Sequence, residues 1–283
     1  MKKKLFFFFI IVTFGIAAFG QYITILGKQF KDENGNDFEP IVCNYGVCIA
    51  IDDTNDISTT YVSPHHGFGS SLGIDCDCQA SCDKDLVNDF KQILFMGFNT
   101  IRIMGIHPYF LKEGYQQKEE CDWVCPEDAF YLPTEFTGGS LECYSWYAMH
   151  EPFENDSISQ RLFELTNHLI QVISGVEYEG NKLKVILIAG GHTGIHSHNF
   201  PDVYSDYLYV LSDTLSKLFS SSAKTTLMAY DLWNEPASVW PEDTIGHSKQ
   251  DVCEKVKMWY DTVKAGDPHH LVTLGGKGFK DIW

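Results

Sequence analysis

The sequence predicts a parallel α/β fold, a (β/α)8 TIM barrel of which about the first five β/α units are present. Apolar runs suited to strands alternate with stretches of helical periodicity, and the loops lengthen after the strands. Candidate polar groups stand at the C-terminal ends of several different strands, which is where such barrels keep their chemistry. The alternation alone also fits an open doubly wound sheet, but no Gly-x-Gly-x-x-Gly follows the first strand.

Taken in order, Tyr22 to Leu26 alternates like a short strand, and the turn-rich 31–37 stretch leads on to Phe38, together a small hairpin able to close a barrel floor. Ile41 to Val47 is the first apolar strand, and a long loop covers 51–81. Asp83 to Met96 is helical, with Leu86, Phe90, Ile93 and Leu94 on one face and Gly97 as its stop. Asn99 to Met104 is the second strand, and a second long loop, rich in aromatics and cysteine, covers 105–155. Asp156 or Ser157 can cap a helix whose face is Ile158, Leu162, Leu165, Leu169 and Val172. Leu183 to Ala189 is the third strand, broken by Gly190 and Gly191. The helix at 202–219, the fourth strand at 226–233, the helix at 249–265 and the fifth strand at 271–274 complete the series. A barrel takes about 250 residues, and two long loops consume much of the 283 here. The expectation is one incomplete domain over 21–283, since five strands alone leave raw edges.

The first 20 residues read as a secretion signal: Lys2, Lys3 and Lys4 precede an apolar core from Leu5 to Ala18, followed by small residues. A retained anchor is the alternative, although a comfortable span needs about 20 apolar residues. Without those lysines, 18 basic residues face 38 acidic ones, a net −20. Nucleic acid and anionic membranes call for the opposite sign. All nine cysteines follow the signal, and in an exported chain they read first as disulfides, one being left over. Cys76-x-Cys78-x3-Cys82 and Cys121-x3-Cys125 lack the paired spacing of a zinc site. No cofactor is expected.

The chemistry centres on Tyr230-Asp231-Leu232-Trp233-Asn234-Glu235-Pro236, an apolar strand ending in an amide, a carboxylic acid and a proline. Glycosidic cleavage commonly uses two carboxyl groups, about 5–5.5 Å apart for retention and about 6.5–9.5 Å for inversion. Glu235 is the candidate general acid/base, Asn234 can hydrogen-bond a sugar 2-hydroxyl, and Pro236 fixes the strand's exit. An ordinary strand-ending turn is the plainer reading. Arg102, inside an apolar strand, needs a carboxylate when buried, either as an active-site group or as one half of a structural ion pair. His192, His196 and His198 follow the third strand and could contact substrate, bind a metal or sit in a solvated loop. His65-His66 and His269-His270 are weaker candidates, the latter pair preceding a strand on the face away from chemistry. Of the loop aromatics, Trp146 and Trp240 are the candidates for stacking on sugars, against a role in loop packing.

Four stretches taken together resemble the clan A glycoside hydrolases, most closely the family 5 cellulase-like enzymes. They are Pro40-Ile-Val-Cys-Asn-Tyr-Gly46, Gly97-Phe-Asn-Thr-Ile-Arg-Ile103, Leu232-Trp-Asn-Glu-Pro236 and Asp267-Pro-His-His-Leu-Val-Thr273. The resemblance runs from Phe38 to the end, with long loops that depart from a minimal member. It implies retaining hydrolysis of a β-glycan, such as a cellulose-type glucan or a mannan, by a secreted enzyme. Glu235 would be the general acid/base, Asn234 the 2-hydroxyl ligand, and Arg102 the group that orients the nucleophile; a histidine near His192 can line the site. The implied nucleophile is a glutamate ending a seventh strand, so this piece alone is expected to be inactive. Two other readings remain: a non-catalytic carbohydrate-binding protein on a degenerate barrel, and a metal-dependent hydrolase using the 192–198 histidines.

Overall fold

The computed structural model describes residues 22–50, 61–64, 78–104, 130–132, 142–144, 157–189, 203–232 and 249–275. Eleven strands and five helices lie within them. Three short strands, β1 (Thr24–Leu26), β2 (Gln29–Lys31) and β3 (Asp37–Phe38), form an antiparallel sheet of their own. Its turns use Gly27 and Gly35 at positive φ, and the Asp32 carboxylate accepts the N–H groups of Asn34 and Asn36.

The main sheet has six strands. Five are parallel and run in the spatial order β11 (Leu271–Thr273), β10 (Leu227–Asp231), β9 (Lys184–Ile188), β6 (Thr100–Met104) and β4 (Val42–Ala50). The sixth, β5 (Tyr61–Pro64), pairs antiparallel with the far end of β4, Val47 opposite Pro64 and Ala50 opposite Tyr61. The parallel strands therefore follow one another in space as they do in sequence, as βαβ units require.

Three findings revise the sequence expectations. The 51–81 stretch is not all loop, since it holds β5 and the first turn of α1 (Gln79–Phe95), which begins before Asp83. The 105–155 stretch holds a hairpin, β7 (Phe130–Leu132) with β8 (Glu142–Tyr144). A six-residue helix, α4 (Ser221–Thr226), precedes β10, and the Ser220 hydroxyl caps it by accepting the Ala223 N–H. The other helices, α2 (Ser157–Ser174), α3 (Val203–Leu218) and α5 (Lys249–Gly266), match their periodic stretches.

Each long helix buries one stripe. In α1 this is Leu86, Phe90, Ile93 and Leu94; Gly97 then closes it at φ +92, with the Phe98 N–H reaching back to the Ile93 carbonyl. The stripes of α1, α2, α3 and α5 meet the face of the sheet carrying Ile101, Ile103, Val185, Leu187 and Tyr230, forming the main core. Side by side in a parallel sheet, register partners share a face. Asn44, Arg102, Ile186, Ala229 and Leu271 are successive partners and so lie on the opposite face.

The hairpin packs at the lower end of that opposite face. Ile23, Phe30 and Phe38 cluster with Ile186, Met228, Ala229 and Leu271. Three side chains fasten it there. Lys184, 8% exposed, donates to Glu33 and to the Thr225 carbonyl, both at 2.8 Å. Tyr22 stacks on His269 at 4.8 Å and meets His270 edge-on. Asn99 clips the hairpin's exit to the foot of β6, accepting the Ile41 N–H and donating to the Glu39 carbonyl. With the lower end covered, the upper end, at the C-terminal ends of the strands, remains for chemistry.

Candidate functional site

Two charged side chains occupy that upper end. Arg102 projects from the middle of β6 and Asp231 is the last residue of β10. The strand between them, β9, holds Ile186 opposite Arg102 and Ile188 opposite Asp231. The arginine thus reaches across one strand and one step along the sheet to its partner. Its Nε and Nη2 donate to the same carboxylate oxygen, Asp231 Oδ2, at 2.7 and 2.6 Å. The other oxygen, Oδ1, accepts the Gly275 N–H at 2.8 Å, just beyond β11. Asp231 is 1% exposed, and the Arg102 side chain 16%.

An ion pair this far from water is costly to assemble and more costly to break, because either partner alone is an uncompensated buried charge. Arg102 therefore has the carboxylate partner that its place in an apolar strand demands. Sequence reasoning did not single out Asp231. The signal was available, since an acid inside Leu227-Met-Ala-Tyr-Asp231 poses the same question as an arginine inside Thr100-Ile-Arg-Ile-Met104.

Of the residues proposed from sequence, Arg102 is among those described. Glu235, Asn234, Trp240, Trp146 and His192 lie outside the described residues, as do His65, His66, His196 and His198. The described backbone leads directly to the acid: Asp231 ends β10, and the Leu232 N–H still bonds the Thr273 carbonyl of β11. Glu235 follows four residues after Asp231 in sequence.

The second polar centre lies at the opposite end of the sheet, as expected for residues that precede a strand. Asp267, 1% exposed, collects four donors. Its Oδ1 accepts the N–H groups of His269 and His270, and its Oδ2 takes the Tyr230 hydroxyl at 3.1 Å and His270 Nδ1 at 2.5 Å. Burial opposes ionisation, but the bond and charge of His270, joined by the two backbone N–H groups, prevail and bring the carboxyl down to about 2. Burial and the Asp267 charge in turn push the Tyr230 hydroxyl well up. His270 Nε2 lies 3.0 Å from the Lys224 carbonyl, so this centre ties α5, α4 and β10 together. It is an anchor for the floor, with Tyr22 laid over it.

Among the described residues no group of three or more His, Cys, Asp or Glu is placed to hold a metal ion, and no helix is long and apolar enough to cross a membrane. The disulfide expectation does not hold at Cys43, Cys78 and Cys253, which carry free thiols; Cys82 is disulfide-bonded.

No protein-family model and no curated protein matches the sequence. Solved structures are similar at low identity. An exo-β-1,4-mannosidase, Op5Man5, from Opitutaceae bacterium strain TAV5 is 15% identical with a TM-score of 0.49, over 90% of this chain and 35% of that one. An endocellulase from Pyrococcus horikoshii, solved with cellotetraose, is 13% identical with a TM-score of 0.42, over 91% of this chain and 57% of that one. A β-mannanase from the blue mussel Mytilus edulis is 11% identical with a TM-score of 0.42, over 91% and 64%. The chain thus spans less than two thirds of the length of each.

Proposed function

We propose that the chain is the front part of a secreted glycoside hydrolase that cleaves a β-glycan of the glucan or mannan class with retention. Glu235 acts as general acid/base, protonating the leaving oxygen and then activating water. Asn234 holds the 2-hydroxyl, a contact that strengthens as the oxocarbenium-like transition state forms. Arg102 orients a nucleophilic glutamate supplied from beyond residue 283. His192, Trp240 and Trp146 contact the sugar. Polysaccharide or oligosaccharide is the partner; no cofactor, metal, nucleic acid or membrane takes part in this reading.

The observation that carries the reading is the buried Arg102–Asp231 pair at the C-terminal ends of parallel strands, with Asn234-Glu235-Pro236 continuing from the same strand end. A purely structural pair would suffice for packing, but its place at the chemically active end of a parallel α/β sheet favours a site.

The deciding experiment is Glu235→Gln in the complete gene product, assayed on a natural glycan. Turnover on substrates with poor leaving groups should fall by at least about 100-fold, with an unchanged circular dichroism spectrum. Full activity in the variant would sink the assignment. An unmodified product that binds glycan without cleaving it would establish the carbohydrate-binding alternative instead.

A further inference from the structure

We propose that Asp231 is a positioning residue that fixes the aim of the Arg102 guanidinium, an inference that rests on the glycosidase reading above. The geometry is specific. Two donors on one edge of the guanidinium converge on a single oxygen, at 2.7 and 2.6 Å. A single oxygen could let the arginine swivel if the carboxylate itself were free to turn. It is not, because Gly275 N–H holds Oδ1 at 2.8 Å. The carboxylate is therefore held at both oxygens, by the end of β11 on one and by the guanidinium edge on the other.

Distance explains the choice of residues. Neighbouring strands are spaced about 4.8 Å apart, and Arg102 must cross the full width of β9 to reach β10. A planar fork on a long stem can do this and keep its plane; a lysine ammonium is a rotating point charge and cannot. Ile186 and Ile188, the residues of β9 that lie beside the pair on that face, offer no polar competitor for the guanidinium along that path. Asp231 touches neither sugar nor reacting atoms in this account. It acts through Arg102, and it links the site to β11, so a shift at the end of that strand would turn the arginine.

The test compares wild type, Asp231→Glu, Asp231→Asn and Arg102→Lys in the complete gene product. One readout is solvent exchange of the Arg102 Nε–H resonance; the other is kcat and KM on a β-glycan. Asp231→Glu keeps the charge but displaces the oxygens by one methylene. It should fold with a near-normal Tm, lose about 100-fold in kcat with little change in KM, and expose the Nε–H to faster exchange. Asp231→Asn is the variant at risk of misfolding, so the glutamate variant decides. A packing role alone predicts that Asp231→Glu, folded with a near-normal Tm, keeps a near-normal kcat, and that result would overturn the proposal. So would an Nε–H resonance indifferent to Asp231 in an active enzyme, which leaves the glycosidase reading standing. A wild-type product that cleaves no β-glycan, yet whose Arg102 Nε–H depends on Asp231, removes the glycosidase reading and keeps the positioning.

Discussion

Asp267 shows how a buried acid can be made stabilising. Its carboxyl lies at about 2 in the folded chain, below the ordinary 3.8 of the unfolded one. A group lowered in this way favours the folded state above its unfolded value, and that contribution is lost as pH falls through the folded one. The difference corresponds to about 2 kcal/mol. Asp267→Asn should therefore lower stability by about that amount at pH 6 and flatten the loss between pH 4 and 2, read from urea midpoints across pH. An unchanged acid limb would show that the four donors do not govern the titration. The residue scale is also where sequence reading succeeds and fails in an instructive way. Arg102 was visible because a charge in an apolar strand stands out. Its partner lies 129 positions away, across an intervening strand, and only folding brings the two together.

The elements depend on two close fits. Where α5 ends against α3, a Cβ added to Gly266 would sit 2.2 Å from Ser212 Oγ, 2.7 Å from Asp213 N and 2.9 Å from the Tyr209 carbonyl oxygen. The hydroxyl can rotate away; the two backbone atoms cannot. Gly266→Ala should cost about 1–3 kcal/mol by forcing the helices apart, measured as a drop in Tm without loss of helical signal. A neutral substitution would mean that α5 can slide. The hairpin fit rests on Lys184. Lys184→Met removes a charged donor from Glu33 and from a carbonyl, and should cost about 1.5–3 kcal/mol while opening residues 22–38 to protease; resistance equal to wild type would sink the claim that this lysine is the fastening. The long helices and parallel strands were legible in sequence because their stripes repeat over several turns or alternate with clear stops. The short pieces were not. Four residues of β5 form a strand because β4 extends to Ala50 and offers an edge, and no local pattern in Tyr61-Val-Ser-Pro64 specifies that. The same holds for the three-residue strands β7 and β8 and for the single helical turns of α4.

At the scale of the whole molecule, apolar side chains are exposed both at the foot of β4 and on the small antiparallel sheet. Ile41 and Val42, at the foot of β4, are 52% and 40% exposed, and Ile25 and Leu26 of β1 are 57% and 69% exposed. The lower half of β4 pairs with β6 alone among the described strands. Surface of this kind favours association. Residues 21–283 expressed alone should bind a hydrophobic dye and melt broadly; a sharp two-state melt without dye binding would contradict this.

The floor of the sheet also fixes an order of events. Glu33 meets Lys184 across 151 positions, and Tyr22 rests on His269 and His270, near the other end of the described chain. Chains leave the ribosome at about 5–20 residues per second, so after Asn99 has clipped its exit the hairpin must wait on the order of ten seconds for Lys184 and longer for His269 and His270. Closing so wide a loop is slow in any case. Among the first described segments to be made, the hairpin is thus among the last able to settle, and until then Ile23, Phe30 and Phe38 remain exposed to whatever chaperone holds a nascent chain.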